Sequence, residues 1–187
     1  MASVSDFRNG MAIRHNGEIW IVTEFQHVKP GKGQAFIRTK LKQLKSGKVV
    51  DHTFRLSDTI EEVRLEGKEM QYLYATDDEL YLMDMETYEQ ISVPKEMLGD
   101  QVRFLKEGNP VHVQFLEGTP VTANLPMFIE LAVVEAPPGV KGDTVSNVQK
   151  QVKLETGAEI QVPLFIKEGD VLKIDTRDGK YIERVSR

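Results

Sequence analysis

The chain has 187 residues, 40% of them hydrophobic, with a formal net charge of -5 and no cysteine. That length and apolar fraction suit one domain or several small packed ones, and the missing cysteines exclude disulfides and thiol chemistry. No apolar run approaches the roughly 18 residues of a membrane span, and Met1-Ala2-Ser3-Val4-Ser5-Asp6 leads into no apolar signal core, so a cytoplasmic protein without membrane contact is expected.

Apolar residues recur in short runs broken by turn signals such as Asn16-Gly17, Ser46-Gly47, Glu117-Gly118 and Asp178-Gly179, the rhythm of an all-β chain. In chain order, strands are predicted from Glu18 to Gln26, Gln34 to Leu44, Gln71 to Ala75, Leu80 to Met85 and Val111 to Leu116. Three more follow, from Phe128 to Glu135, Val171 to Thr176 and Lys180 to Val185. One short helical piece is predicted over Pro94-Lys95-Glu96-Met97-Leu98, opened by a proline suited to a first turn and stopped at Gly99. Trp20 alternates with apolar neighbours and is assigned to the core.

Strands this short favour small closed or nearly closed barrels, which remove exposed edges. Three barrels of roughly 60 residues each fit the length, with breaks near Arg64 and Phe128 that give segments 1–64, 65–128 and 129–187. No Gly/Ser-rich linker or clear internal repeat appears, so neighbouring barrels are expected to abut in an elongated, fairly stiff molecule.

Charge follows these segments unevenly. Residues 1–64 carry 11 basic against 7 acidic residues, or +4, residues 65–128 carry 4 against 12, or -8, and the remainder carries 9 against 10, or -1. Between Phe25 and Val50 there are seven basic residues and no acidic one. Lys32 stands in the tightest turn of that stretch, Val28-Lys29-Pro30-Gly31-Lys32-Gly33-Gln34-Ala35-Phe36. Pro30 fixes a backbone angle, and Gly31 and Gly33 allow positive φ on either side, which presents a lone cation at a loop tip.

In the strand that follows, alternation puts Phe36, Arg38, Lys40 and Lys42 on one face and Ala35, Ile37, Thr39 and Leu41 on the other. Cations two residues apart are separated by about 6.6 Å, a spacing at which each can meet its own backbone phosphate. An ordinary solvated strand ending in a hairpin would show the same pattern.

Other chemistry has little support. A nucleotide-binding phosphate loop needs Gly-Lys followed by Ser or Thr and then a helix, whereas Gln34 and a strand follow Gly33. Carboxylates cluster at Asp77-Asp78-Glu79 and at Asp84 and Glu86 in turn-like surroundings, without a visible pocket. His15, His27, His52 and His112 lack metal-ligand spacing and serine partners, so no metal, cofactor or catalytic residue is expected.

Three motifs resemble those of a known family, the bacterial elongation factor P proteins. The first is the Val28 to Phe36 stretch followed by Lys40-Leu41-Lys42 and Ser46-Gly47. The second is Phe128-Ile129-Glu130-Leu131 with Pro138-Gly139-Val140-Lys141-Gly142-Asp143-Thr144. The third joins Leu154-Glu155-Thr156-Gly157-Ala158, Val162-Pro163-Leu164-Phe165-Ile166, Glu168-Gly169-Asp170 and Ile174-Asp175-Thr176-Arg177.

The resemblance implies an SH3-like (KOW-like) first barrel and two OB-fold barrels in a bent arrangement. It implies a monomeric, non-enzymatic translation factor that binds the 70S ribosome beside peptidyl-tRNA and relieves stalling at consecutive prolines. Lys32 would then reach the acceptor end, while Lys29, Arg38, Lys40 and Lys42 hold transfer or ribosomal RNA. In this family the tip residue is often extended by a post-translational modification, so the resemblance implies Lys32 as a modification site and a Lys32-modifying enzyme as a partner. Gly99-Asp100 with Phe104-Leu105 resembles a loop that faces the exit site. Asn147-Val148 and Lys150-Gln151-Val152-Lys153 depart from the family pattern, which leaves third-domain contacts open. Two rivals stay open on the residues alone: a barrel that binds RNA without acting on peptide synthesis, and an enzyme using an unrecognised carboxylate site.

Overall fold

A computed structural model describes residues 2–139 and 148–186. Residues Val140 to Thr144 of the second motif, and Asn147, lie outside the described residues. Among the described residues the fold is nearly all-β, with three sheets and only short 3-10 helical pieces.

The first sheet contains β1 (Ala2–Ser3), β2 (Ala12–His15), β3 (Glu18–Val28), β4 (Phe36–Gln43), β5 (Val49–Arg55) and β6 (Thr59–Glu62). Its order is β1-β6-β2-β3-β4-β5. Asn16 at φ +52° and Gly17 at φ +78° close the β2–β3 hairpin, the double positive φ that matches a two-residue turn to strand twist. Alternate residues of β2 to β6 point inward and bury Ile13, Val22, Ile37, Leu41, Phe54 and Ile60 with Val4, Phe7 and Met11. Trp20 is packed on the rim of this core rather than fully inside it, because its indole N–H donates to the His15 carbonyl at 3.2 Å.

The second sheet contains β7 (Leu65–Ala75), β8 (Glu79–Asp84), β9 (Gln90–Pro94), β10 (Pro110–Leu116) and β11 (Thr119–Asn124), in the order β11-β10-β7-β8-β9. The third contains β12 (Phe128–Glu135), β13 (Gln149–Leu154), β14 (Glu159–Pro163), β15 (Val171–Asp175) and β16 (Lys180–Ser186), in the order β14-β13-β12-β15-β16. Counted within each sheet, both orders read 3-2-1-4-5, the Greek-key order of the OB fold. The repeat that was not visible in the residues is therefore present in the topology, since it is carried by strand order and burial rather than by identical side chains.

By packing, the chain divides into two compact units, Met1–Gly67 with Gln114–Thr122, and Lys68–Val113 with Ala123–Arg187. Helical structure does not stop at Gly99: a 3-10 turn over Lys95–Met97 is followed by another over Gly99–Phe104. Burial of Phe104 and a hydrogen bond from the Leu125 N–H to the Gln101 side chain at 2.8 Å hold the second turn. That segment also ties the second sheet to the third. The Thr156 hydroxyl donates to the Arg103 carbonyl at 2.7 Å, Lys106 pairs with Glu155 at 3.0 Å, and Gly179 lies against Arg103 and Phe104.

Candidate nucleic-acid interface

β3 and β4 pair continuously from Trp20↔Gln43 to Val28↔Phe36, apart from one register shift between Val22 and Glu24. The connecting loop, Lys29 to Ala35, is thus carried on two long strands whose inner faces are locked into the core by Val22, Ile37 and Leu41. Pro30 is half-buried, and Gly33 has φ +113°, with Pro30 Cγ lying 3.7 Å from where a Cβ would be. Gly31 does not need positive φ, so the turn rests on Pro30 and Gly33 rather than on both glycines. Lys32 is exposed between them, and among the described residues no hydrogen bond or ion pair holds its ammonium group.

The alternation expected for β4 is observed. Ile37, Thr39 and Leu41 are buried, while Arg38, Lys40 and Lys42 are exposed and Phe36 is half-buried. The cations are not equivalent. Cross-strand register sets Lys40 between Glu24 and Asp51, and its Nζ lies 3.0 Å from Glu24 Oε2. Hydrogen bonding to Glu24, then attraction to that carboxylate, raises the Lys40 pKa above its ordinary value. Lys40 is already answered within the protein.

Nearer the loop no ion pair answers Arg38 among the described residues, and the Asp58 carboxylate accepts from the Arg55 backbone N–H at 2.8 Å rather than from its guanidinium. Arg38 lies between Gln26 and Thr53, with its guanidinium carbon 5.6 Å from the Phe36 ring centroid. Phe36 itself faces Arg55 across the β4–β5 pair. Arg55 therefore joins the cationic face although sequence reasoning did not select it. Lys29 is exposed where β3 ends, and Lys42 is exposed toward the far end of β4, beside the Gly47 turn. The sequence-selected Lys29, Lys32, Arg38, Lys40 and Lys42 are thus all carried by one hairpin.

Gly99 and Asp100 belong elsewhere, at the exposed start of the second 3-10 turn beside the second sheet. Of the four histidines, His27 and His112 are exposed, and His15 and His52 are used in packing. The His15 and His52 rings sit 4.5 Å apart, and each lies against Phe54. Burial first, then the neighbouring His52, pushes the His15 pKa below its ordinary value. Among the described residues no group of three or more His, Asp or Glu side chains is placed to hold a metal, and no helix is long and apolar enough to cross a membrane.

Three family models match the chain in order: the elongation factor P KOW-like domain over residues 3–60, its OB domain over 65–123 and its C-terminal domain over 129–184. An elongation factor P from Natranaerobius thermophilus is 50% identical over 185 residues, covering 99% of this chain and 98% of that relative. One from Mycobacterium avium is 48% identical over 186 residues and covers 100% of both chains. Among solved structures, a eukaryotic translation initiation factor 5A from Methanococcus jannaschii aligns with a TM-score of 0.51 and 21% identity, covering 64% of this chain and 88% of that one. Half-identity over nearly the whole length, with all three family models matched in sequence order, makes this chain a member of the elongation factor P family of translation elongation factors.

Proposed function

We propose that the chain binds the 70S ribosome beside peptidyl-tRNA and accelerates peptide-bond formation at consecutive prolines, with Lys32 positioning the acceptor end. The observation that carries this reading is an exposed, unpaired Lys32 held at the tip of a core-anchored hairpin. The anchored strands fix where the lysine is presented, which spares part of the ordering cost of meeting a phosphate or a terminal ribose, while its side chain stays free to reach. Lys29, Arg38 and Lys42 contact nearby transfer or ribosomal RNA phosphates, with Arg55 added from β5. Lys40, held by Glu24, contributes less.

Proline's fixed φ makes it a poor partner in peptide-bond formation. Better alignment of the reacting ends that lowers the barrier by about 1.4 kcal/mol gives a tenfold rate gain, and orientation can supply more. The factor supplies orientation, while the ribosome's own centre makes the bond, so no bound cofactor is invoked. Lys32 has the free space to carry a post-translational extension installed by a separate modifying enzyme. The three sheets and the three matched segments support a division into barrels near Arg64 and Phe128. Gly99 and Asp100 are exposed at the start of a 3-10 turn on the second of these, and in this reading they face the exit site.

A photoreactive side chain introduced at position 32 tests the docking on ribosomes stalled at proline codons. Cross-links to the terminal nucleotides of the peptidyl-tRNA support it. Cross-links confined to small-subunit RNA overturn it. Intact-mass analysis of protein from its native host reads the modification separately, as an added mass on the peptide containing Lys32.

A further inference from the structure

We propose that the outward face of β7, β8 and β9 docks an arginine-bearing protein segment, using the Tyr74–Tyr81 stack as its platform. A register shift between Tyr72 and Tyr74 brings Tyr74 opposite Tyr81, with ring centroids 4.5 Å apart and planes inclined by only 12°. The stack is not covered: Tyr74 is 51% exposed. Two aromatic rings held parallel offer an open π-face whose order has been established before any ligand arrives.

A carboxylate completes the platform. The Tyr81 hydroxyl donates to Glu79 Oε2 at 3.3 Å, and the Ser92 hydroxyl donates to Glu79 Oε1 at 3.4 Å. These bonds fix Glu79 beside the rings, and its charge is the first cause of the raised Tyr81 pKa. Neither β8 nor β9 contains a lysine or arginine, while β7 contains Lys68, which pairs with Asp84 at 3.1 Å, and residues 65–128 carry 12 acidic against 4 basic residues.

OB-type strands that bind single-stranded nucleic acid combine stacking aromatics with a cationic groove. Here the aromatics are present and the charge is reversed, so a phosphate backbone is repelled. A guanidinium fits both features, because it is planar, stacks on tyrosine and forks to a carboxylate. Lysine offers neither planarity nor the fork. The partner is therefore a protein segment with exposed arginine, and its binding does not depend on the Lys32 loop.

The test is a titration of the isotope-labelled full chain at about 0.15 M salt, where long-range attraction is screened. The probes are a Gly/Ser peptide carrying two arginines, the same peptide with citrulline in their place, and oligouridylate. The arginine peptide is expected to shift the Tyr74, Tyr81 and Ser92 resonances, with citrulline binding about tenfold weaker. Tyr74→Ala and Glu79→Gln each reduce binding several-fold, whereas Lys32→Ala leaves it unchanged. Glu79→Gln, which keeps the size of a half-buried side chain and an acceptor oxygen, carries the test should Tyr74→Ala misfold. Equal response to the arginine and citrulline peptides overturns the proposal, as does a shift of the tyrosines by oligouridylate in place of the peptide.

Discussion

On one side of Lys32 the backbone at Gly33 lies at φ +113°, and on the other Gly31 has no positive φ and no atom within 4 Å of where a Cβ would stand. Gly33→Ala is therefore expected to cost about 1–3 kcal/mol of backbone strain or to distort the loop. Gly31→Ala should fall within about 0.5 kcal/mol of the parent in urea melts, as isolated surface changes do. Equal costs would contradict this division of roles. A second residue-scale consequence concerns Asp175, whose pKa is held at about 2 chiefly by the Arg177 side chain, with the Arg177 N–H adding a bond. Since this pKa lies below the ordinary 3.8, the stabilisation is complete above pH 3.8 and is lost as pH falls toward 2. Asp175→Asn should then flatten the fall in stability across that window, read by denaturant melts at successive pH values. Parallel curves for parent and variant would exclude the pair as a source of acid sensitivity.

Across β3, β4 and β5, pairing sorts the cations into answered and free. Arg38→Ala and Arg55→Ala should each lower the slope of log affinity for ribosomes against log salt by about 0.7–0.9, the equivalent of one phosphate. Lys40→Ala should change it little, and Glu24→Gln, which releases Lys40, should steepen it. The Lys32 loop and the alternation of β4 were readable from local sequence because both depend on neighbours in the chain. Arg55 and the Glu24–Lys40 pair were not, since each is brought to β4 by strand pairing from a distant segment. Strands showed the same limit. Phe128–Glu135 is legible in the sequence because its inward positions are Ile129, Leu131 and Val133, whereas Gln149–Leu154 buries only Val152 and Leu154 among polar neighbours. Helical structure runs past Gly99 because Gln101 and Phe104 are held by a bond and by packing that local sequence does not carry.

For the molecule as a whole, the stretch with a +4 excess is the one that bears the free lysine, and the -8 stretch bears the tyrosine platform. Opposite polarities on separate sheets suit partners of opposite charge, RNA for one and a basic protein segment for the other. Cooperation between the second and third sheets is testable at Gly179, where a Cβ would meet Phe104 Cζ at 3.0 Å in a backbone already at φ +73°. Gly179→Ala should uncouple them, appearing as faster hydrogen exchange in Gly99–Phe104 and around Thr156, and unchanged exchange there would show that the joint tolerates the methyl group. The central claim is that an uncommitted lysine at the hairpin tip accelerates peptide-bond formation. Because Lys32 is exposed and no hydrogen bond or ion pair holds it among the described residues, Lys32→Ala should keep the parent's stability. The direct measurement is the rate of Pro-Pro-Pro synthesis in a reconstituted translation system without factor, with the protein in its native modification state, and with Lys32→Ala. The expected result is an acceleration of tenfold or more, equivalent to about 1.4 kcal/mol or more of barrier, that Lys32→Ala abolishes. No acceleration by the unaltered protein, or an equal acceleration by Lys32→Ala, would contradict the claim.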